Sequence, residues 1–173
     1  MKRTISEKVT RTQYVSHDCL LCGEDNPFGL HGHFYELEDG EVVGVFHPRP
    51  EHQSYPGHTH GGIISAMLDE TIARAATIGR DEVVYAVTTR LEVTFRKPVP
   101  YDQEVRCVGR VDTRRRRMYD GSGEILASDG TVLASAKGTF AVLAVDQIAG
   151  DVDLEGREMF PDPTEPPERI EIG

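Results

Sequence analysis

The spacing of apolar positions changes twice along the chain, near residue 61 and again near residue 85. In the stretch that opens "GGIISAMLDETIA", the residues Ile64, Met67, Leu68, Thr71, Ile72 and Ala75 gather on one arc at about 100° per residue. This predicts a helix from Gly61 or Gly62 to about Thr77, with that arc laid on a sheet. Upstream, the short apolar run "EVVGVFH" at 41–47 predicts a strand. Downstream, "YAVTTRLEVTFRKPVP" alternates, with Val87, Thr89, Leu91, Val93 and Phe95 on one face and Thr88, Arg90, Glu92, Thr94 and Arg96 on the other. Pro98 and Pro100 end that strand. "QEVRCVGRVDTR", "RMYDGSGEILA" and "TVLASAKGTFAVLAV" predict three more strands, the last two joined by a tight turn at Asp129-Gly130. One helix inserted ahead of an antiparallel meander argues for an α+β domain, its helix packed against a curved sheet.

Composition narrows the setting. A length of 173 residues suits one domain, and 38% hydrophobic with 28% charged residues fits an ordinary globular protein. No run approaches the roughly 18 to 20 apolar residues of a membrane span, and the polar start MKRTISEKVTRTQ lacks an apolar segment of the secretory kind. A cytoplasmic location is therefore expected, with no membrane partner. The net charge of -10 disfavours nucleic acid. Much of that charge is local: residues 146–173 hold nine acidic side chains against two arginines, and "FPDPTEPPERIEIG" is rich in proline. The expectation is a folded domain over 1–145, including a Cys/His-rich segment at 17–33, followed by an extended or disordered acidic tail over 146–173.

Candidate chemistry centres on the predicted helix. Asp69 projects about 100° from the middle of the apolar arc, beside Ser65, Ala73 and Ala76, small neighbours that let a ligand approach. Glu70 lies one turn before Arg74, a favourable i,i+4 pair, and reads as a solvated helix residue.

At this point a family resemblance becomes specific. "HGGIISAMLDE" resembles the hotdog-fold thioesterases, in particular the phenylacetate-pathway-like (PaaI-type) branch, whose signature is His-Gly-Gly at the start of the central helix and a catalytic acid nine residues after the histidine. His60 and Asp69 have that spacing. "CLLCGEDNPFGL" looks like the Cys-x-x-Cys-Gly and Asn-Pro-x-Gly-Leu segment of a subgroup, "VTTRLEVTFRKPVP" like the strand after the helix, and "DGTVLASAKGTFAVL" like the closing hairpin. Together these cover roughly residues 17–145. The resemblance implies a hotdog fold, hydrolysis of an acyl-CoA thioester without cofactor or metal, and a homodimer or dimer of dimers whose subunits share each site. It also implies that His60 shapes or caps the helix start and that Thr88 orients the attacking water. Many relatives carry Asn or Gln six residues before the histidine; this chain has Ser54 there, with Gln53 adjacent.

Physical chemistry supports the same assignment. Hydrolysis of a thioester needs a polarised carbonyl and an activated attacking group. A helix N-terminus offers free N–H groups and positive potential, so the N–H near Gly61 is a natural oxyanion site, and glycines 61 and 62 leave room for the acyl group. A carboxylate farther down the helix acts as general base, or as nucleophile through an anhydride. Candidate substrate contacts are Gly62, Ser54, Ser65, Arg96 and Lys97. The run "RRRR" at 114–117 suits either a solvated hairpin or the phosphates of coenzyme A, with Arg96 and Lys97 adding to that patch.

Two other readings stay open: a noncatalytic acyl-CoA-binding module on the same fold, and a zinc protein built on the early Cys/His residues. All seven histidines precede residue 61, and Cys19 and Cys22 have zinc-like spacing. No second cysteine pair stands at finger spacing, so these two thiols are expected to pack a loop, and Cys107 to lie in the core.

Overall fold

A computed structural model describes residues 1–151 and 159–173. The chain runs β1 (Ile5–Thr12), β2 (His33–Leu37), β3 (Val42–Phe46), α1 (Gly61–Arg74), β4 (Ala86–Phe95), β5 (Val105–Arg114), β6 (Met118–Leu126), β7 (Val132–Val142), α2 (Val145–Ala149) and β8 (Arg169–Ile172). One eight-stranded sheet has the order β4-β7-β6-β5-β3-β2-β1-β8, every neighbouring pair antiparallel. The predicted helix is present, its last turn tightening to a 3-10 turn over Ala75–Thr77. No helix among the described residues is long and apolar enough to cross a membrane.

The predicted arc is what α1 buries: Ile64, Met67, Leu68, Thr71, Ile72 and Ala75 are each at most 4% exposed. They pack on Phe34, Val42, Phe46, Cys107, Ile125 and Phe140 from the sheet. Close approach depends on Gly109 and Gly123, which face each other across β5 and β6. A Cβ at 109 would stand 2.6 Å from the Thr71 carbonyl oxygen, and one at 123 would lie 3.0 Å from the Ile72 side chain. The opposite face of the sheet has its own cluster of Ile5, Val43, Val108, Ile170 and Ile172. Strand β3 is covered on both sides, which explains why its sequence is a continuous apolar run rather than an alternation.

Three local expectations are corrected by the structure. The first concerns β4. Its pairing with β7 slips at Thr89, where Thr88 pairs with Phe140 and Arg90 with Thr139. The extra residue of this bulge inverts the alternation behind it. Ala86 therefore joins Leu91 and Val93 on the helix side, and Thr88 points towards α1 rather than away from it.

The second is the acidic segment. It does not leave the fold at residue 145: β8 pairs with β1 from Ile5–Ile172 to Lys8–Arg169, and Phe160 exchanges backbone bonds with Val15 at 2.9 Å each way. Four residues, two of them isoleucine, are too short a pattern to stand out among prolines. β1 was equally hidden, since Ile5 and Val9 are its only aliphatic residues. The expectation for residues 152–158 lies outside the described residues.

The third is the Glu70–Arg74 pair. The spacing is right and Arg74 Nε donates to Glu70 at 2.7 Å, but Arg74 is only 8% exposed. Its guanidinium is set into the protein against the Phe34 ring, 4.0 Å from the centroid.

Candidate active site

The helix start is built by local hydrogen bonds. His60 is the N-cap of α1, and its Nδ1 accepts from the Gly62 N–H at 2.9 Å. Its own N–H donates to the His52 carbonyl at 2.8 Å, while Thr59 is tied to Val99 and Pro100 through its N–H and hydroxyl. The cap uses the Gly62 donor. The Gly61 N–H has no hydrogen-bond partner among the described residues, and it sits at the positive end of the helix. Outside it opens a groove of about 580 Å³ whose walls include Ser54, Gly61, Ile64, Phe95, Arg96 and Lys97. Four residues singled out as oxyanion or substrate contacts thus meet at one place. Ser65 is committed elsewhere, since its hydroxyl donates to the Gly61 carbonyl at 2.8 Å. Gln53 accepts from the Tyr101 hydroxyl at 3.3 Å, and its backbone bridges to Thr59.

Midway along α1, the Thr88 hydroxyl donates to Asp69 Oδ1 at 2.7 Å. Asp69 is half-buried, and desolvation pushes its pKa above the usual carboxylate range; the Thr88 bond opposes that shift and neighbouring Glu70 adds to it. Eight residues separate Gly61 from Asp69, which at 1.5 Å rise each is about 12 Å along the axis. A donor and an attacking group that act on one carbonyl must each lie within about 3 Å of it. The two halves of the site on one helix are therefore too far apart to serve the same carbonyl.

Beyond Asp69 is a second cleft, of about 150 Å³, which no pattern along the chain foretells. Ala73, one turn past the acid, and Ala86, two residues before Thr88, line it together with Gln13, Tyr14, Tyr85 and Met159. These come from the exit of β1, the approach to β4 and the segment before β8, so no spacing along the chain links them.

The basic residues do not form one patch. Arg96 and Lys97 flank the groove at the start of α1, whereas Arg114 Nη2 donates to the Ala76 carbonyl at 3.4 Å beyond its far end. Fifteen residues of largely α-helical rise put roughly 20 Å between those points. Arg115 is engaged by Asp120. Among the described residues no three His, Cys, Asp or Glu side chains converge as metal ligands. His52 is a satisfied structural histidine: its Nδ1 accepts from the Arg49 N–H at 2.9 Å, and its Nε2 stands 2.8 Å from the Phe28 carbonyl. Cys107 is fully buried under α1.

This architecture, a curved antiparallel sheet around one long helix with a glycine-rich helix start, is the hotdog fold. Residues 56–134, from the loop before α1 into β7, match the family model of the thioesterase superfamily. The acyl-coenzyme A thioesterase THEM4 of Xenopus laevis is 30% identical over 100 residues, which cover 58% of this chain and 44% of that protein. The chain thus spans less than half the length of this curated relative. A thioesterase superfamily protein of solved structure aligns over 72% of this chain and 60% of its own, with a TM-score of 0.63 and 26% identity. The PaaI protein from the phenylacetic acid degradation operon of E. coli shares the fold at a TM-score of 0.58 and 16% identity, over 66% of this chain and 81% of its own.

Proposed function

We propose that the protein hydrolyses acyl-CoA thioesters, giving a carboxylic acid and free coenzyme A. The observation that carries this reading is the 2.7 Å bond from Thr88 to a half-buried Asp69, on the same helix whose Gly61 N–H opens into a groove. The acyl-coenzyme A thioesterase relative supports the substrate class.

In the reaction, the Gly61 N–H stabilises the charge that develops on the thioester oxygen. Asp69 accepts a proton from water as the water adds to the carbonyl, or adds itself to form an anhydride that water then opens. The tetrahedral intermediate collapses, the C–S bond breaks, and the thiolate leaves as coenzyme A. Thr88 holds Asp69 Oδ1 and leaves the other carboxylate oxygen for the reacting water. The 12 Å between donor and acid calls for two chains, with Gly61 of one facing Asp69 of the other. Strand β4 suits that pairing: it is the edge of the sheet, it carries Thr88, and its Phe95 is 54% exposed beside Gly61. The assembly is accordingly a homodimer or a dimer of dimers, acting in the cytoplasm.

Arg96 and Lys97 at the groove suit the anionic handle of the substrate, and the cleft past Asp69, where Ala73, Val84, Tyr85 and Ala86 meet the charged Arg11, Glu70, Arg74 and Glu82, offers an acyl group an apolar wall with a polar rim. The test is thiol release from short, medium, long and aromatic acyl-CoAs, compared with Asp69→Asn. Saturable turnover that collapses in the variant supports the proposal. Binding without turnover across the panel selects a ligand-binding module instead.

A further inference from the structure

The first third of the chain holds two thiols that thioester hydrolysis leaves unused. Residues Cys19 to Cys22 make a turn between β1 and β2, closed by the Gly23 N–H donating to the Cys19 carbonyl at 2.9 Å. Both cysteines are free; Cys22 is 2% exposed and Cys19 is half-buried. The turn sets them against the helix that bears Asp69. Arg74 Nη2 lies 3.0 Å from Cys22 Sγ, Ser16 Oγ is 3.5 Å from the same sulfur, and the Leu21 N–H is aimed at Cys19 Sγ from 3.3 Å. Arg74 is itself fixed by Glu70, by the Tyr14 carbonyl at 2.7 Å and by the face of Phe34. A guanidinium held on so many sides is a permanent positive charge within reach of the pair.

A thiol that merely packs a loop needs none of this. Cationic neighbours and N–H donors aimed at sulfur are what make a thiolate available, and a two-residue gap lets the two sulfurs meet. We infer that Cys19 and Cys22 are a redox-active dithiol that a hydroperoxide converts into an intramolecular disulfide, with Cys19 attacking and Cys22 resolving. Exposure assigns the roles, because only Cys19 is open to a reagent. The thiol of Cys22, by donating to Cys19, holds the Cys19 pKa down at about 6 and has its own pushed up.

In the first step the Cys19 thiolate attacks a peroxide oxygen, the O–O bond breaks, and an S–O bond forms. The departing oxygen takes up the proton lost by the thiol and leaves as an alcohol, or as water from hydrogen peroxide. In the second, the Cys22 sulfur displaces the hydroxyl group from Cys19; the S–S bond forms and water leaves with the Cys22 proton. The two sulfurs lose two electrons and the peroxide gains them. Among the described residues, only Glu70, the neighbour of Asp69, then remains as an ionisable partner of Arg74.

The experiment exposes the native chain, Cys19→Ser and Cys22→Ser to hydrogen peroxide at pH 7, then unfolds and alkylates them for mass analysis. The native chain should lose the mass of two hydrogens, with Cys19 and Cys22 both protected from alkylation and Cys107 alkylated. Cys22→Ser should form a dimedone adduct at Cys19, and Cys19→Ser should react at least tenfold more slowly than native. Full alkylation of both cysteines in the peroxide-treated native chain overturns the inference. So does stoichiometric zinc in the purified protein that is lost in either variant. Titration of the native chain in glutathione redox buffers, which needs no variant to fold, should give a reversible two-electron transition; a thiol pair that never oxidises there overturns it as well.

Discussion

The two ends of the candidate site lie on one helix and are made in opposite ways. The start of α1 is local: His60 caps Gly62 across two residues, and the donor it leaves free is set by the backbone of residues 60–64. The Asp69 end is tertiary: its partner Thr88 reaches it from nineteen residues away, and only because a bulge at Thr89 turns that hydroxyl inward. A locally built feature tolerates change around it, whereas one held by register depends on a strand being neither longer nor shorter. Substitutions that separate activity from stability should expose this difference.

The largest effect is expected at the tertiary end. Asp69→Asn should lower thiol release from acyl-CoA at least a hundredfold while circular dichroism and oligomeric state stay native. It should also cost no stability. The folded pKa of Asp69 is raised, so the carboxyl is stabilising only while protonated, below the ordinary Asp range, and that contribution is lost as pH rises through the folded pKa. At pH 7 the variant should therefore melt at or above the native temperature; a clear fall would reveal a structural role for the charge.

Next comes the local end. A Cβ at 61 meets only the Phe95 ring at 3.5 Å, so Gly61→Ala should fold normally and gain up to about 1 kcal/mol of helix stability. It should nonetheless lose about tenfold or more in kcat, because the methyl group crowds the carbonyl site. Equal loss of activity and melting temperature would contradict this assignment.

A smaller change is expected for Thr88→Val, with a several-fold loss of kcat. Its sharper readout is pH. The Thr88 bond lowers the Asp69 pKa, so its removal should move the acid limb of the kcat/KM profile to higher pH. An unmoved limb would detach Thr88 from the acid. Last, His60→Ala removes a cap worth about 1 kcal/mol, which for a chain of this size lowers Tm by roughly 2 to 4 °C. Activity should fall modestly, and only through the looser helix start.

The same contrast explains what the sequence made legible. The arc of α1, the strands of the meander and the turn at Gly130, where φ is 76°, are period and turn chemistry, and each is found where the pattern puts it. His-Gly-Gly and the spacing to Asp69 were readable because they are contiguous. The inward aim of Thr88 was not, since a bulge leaves no compositional mark in "AVTTRL". Nor was the burial of Arg74: i,i+4 spacing to Glu70 looks the same on a wet face and a dry one, and Phe34 and Tyr14 reach it from distant strands. β8 was hidden because two isoleucines among prolines carry little period, and its partner β1 is nearly as sparse.

The bulge also has a meaning for anyone comparing or redesigning such chains. It acts as a reading-frame marker within a strand: residues on either side of Thr89 obey opposite inside-outside rules. Deleting that one threonine would leave the composition of the strand almost untouched, yet it would exchange Thr88 with the solvent-side set or force Leu91 and Val93 off the core. Alignments that slide a gap freely through this strand therefore compare side chains from opposite faces, and a graft of α1 with its Thr88 contact into another scaffold must carry the bulge with it.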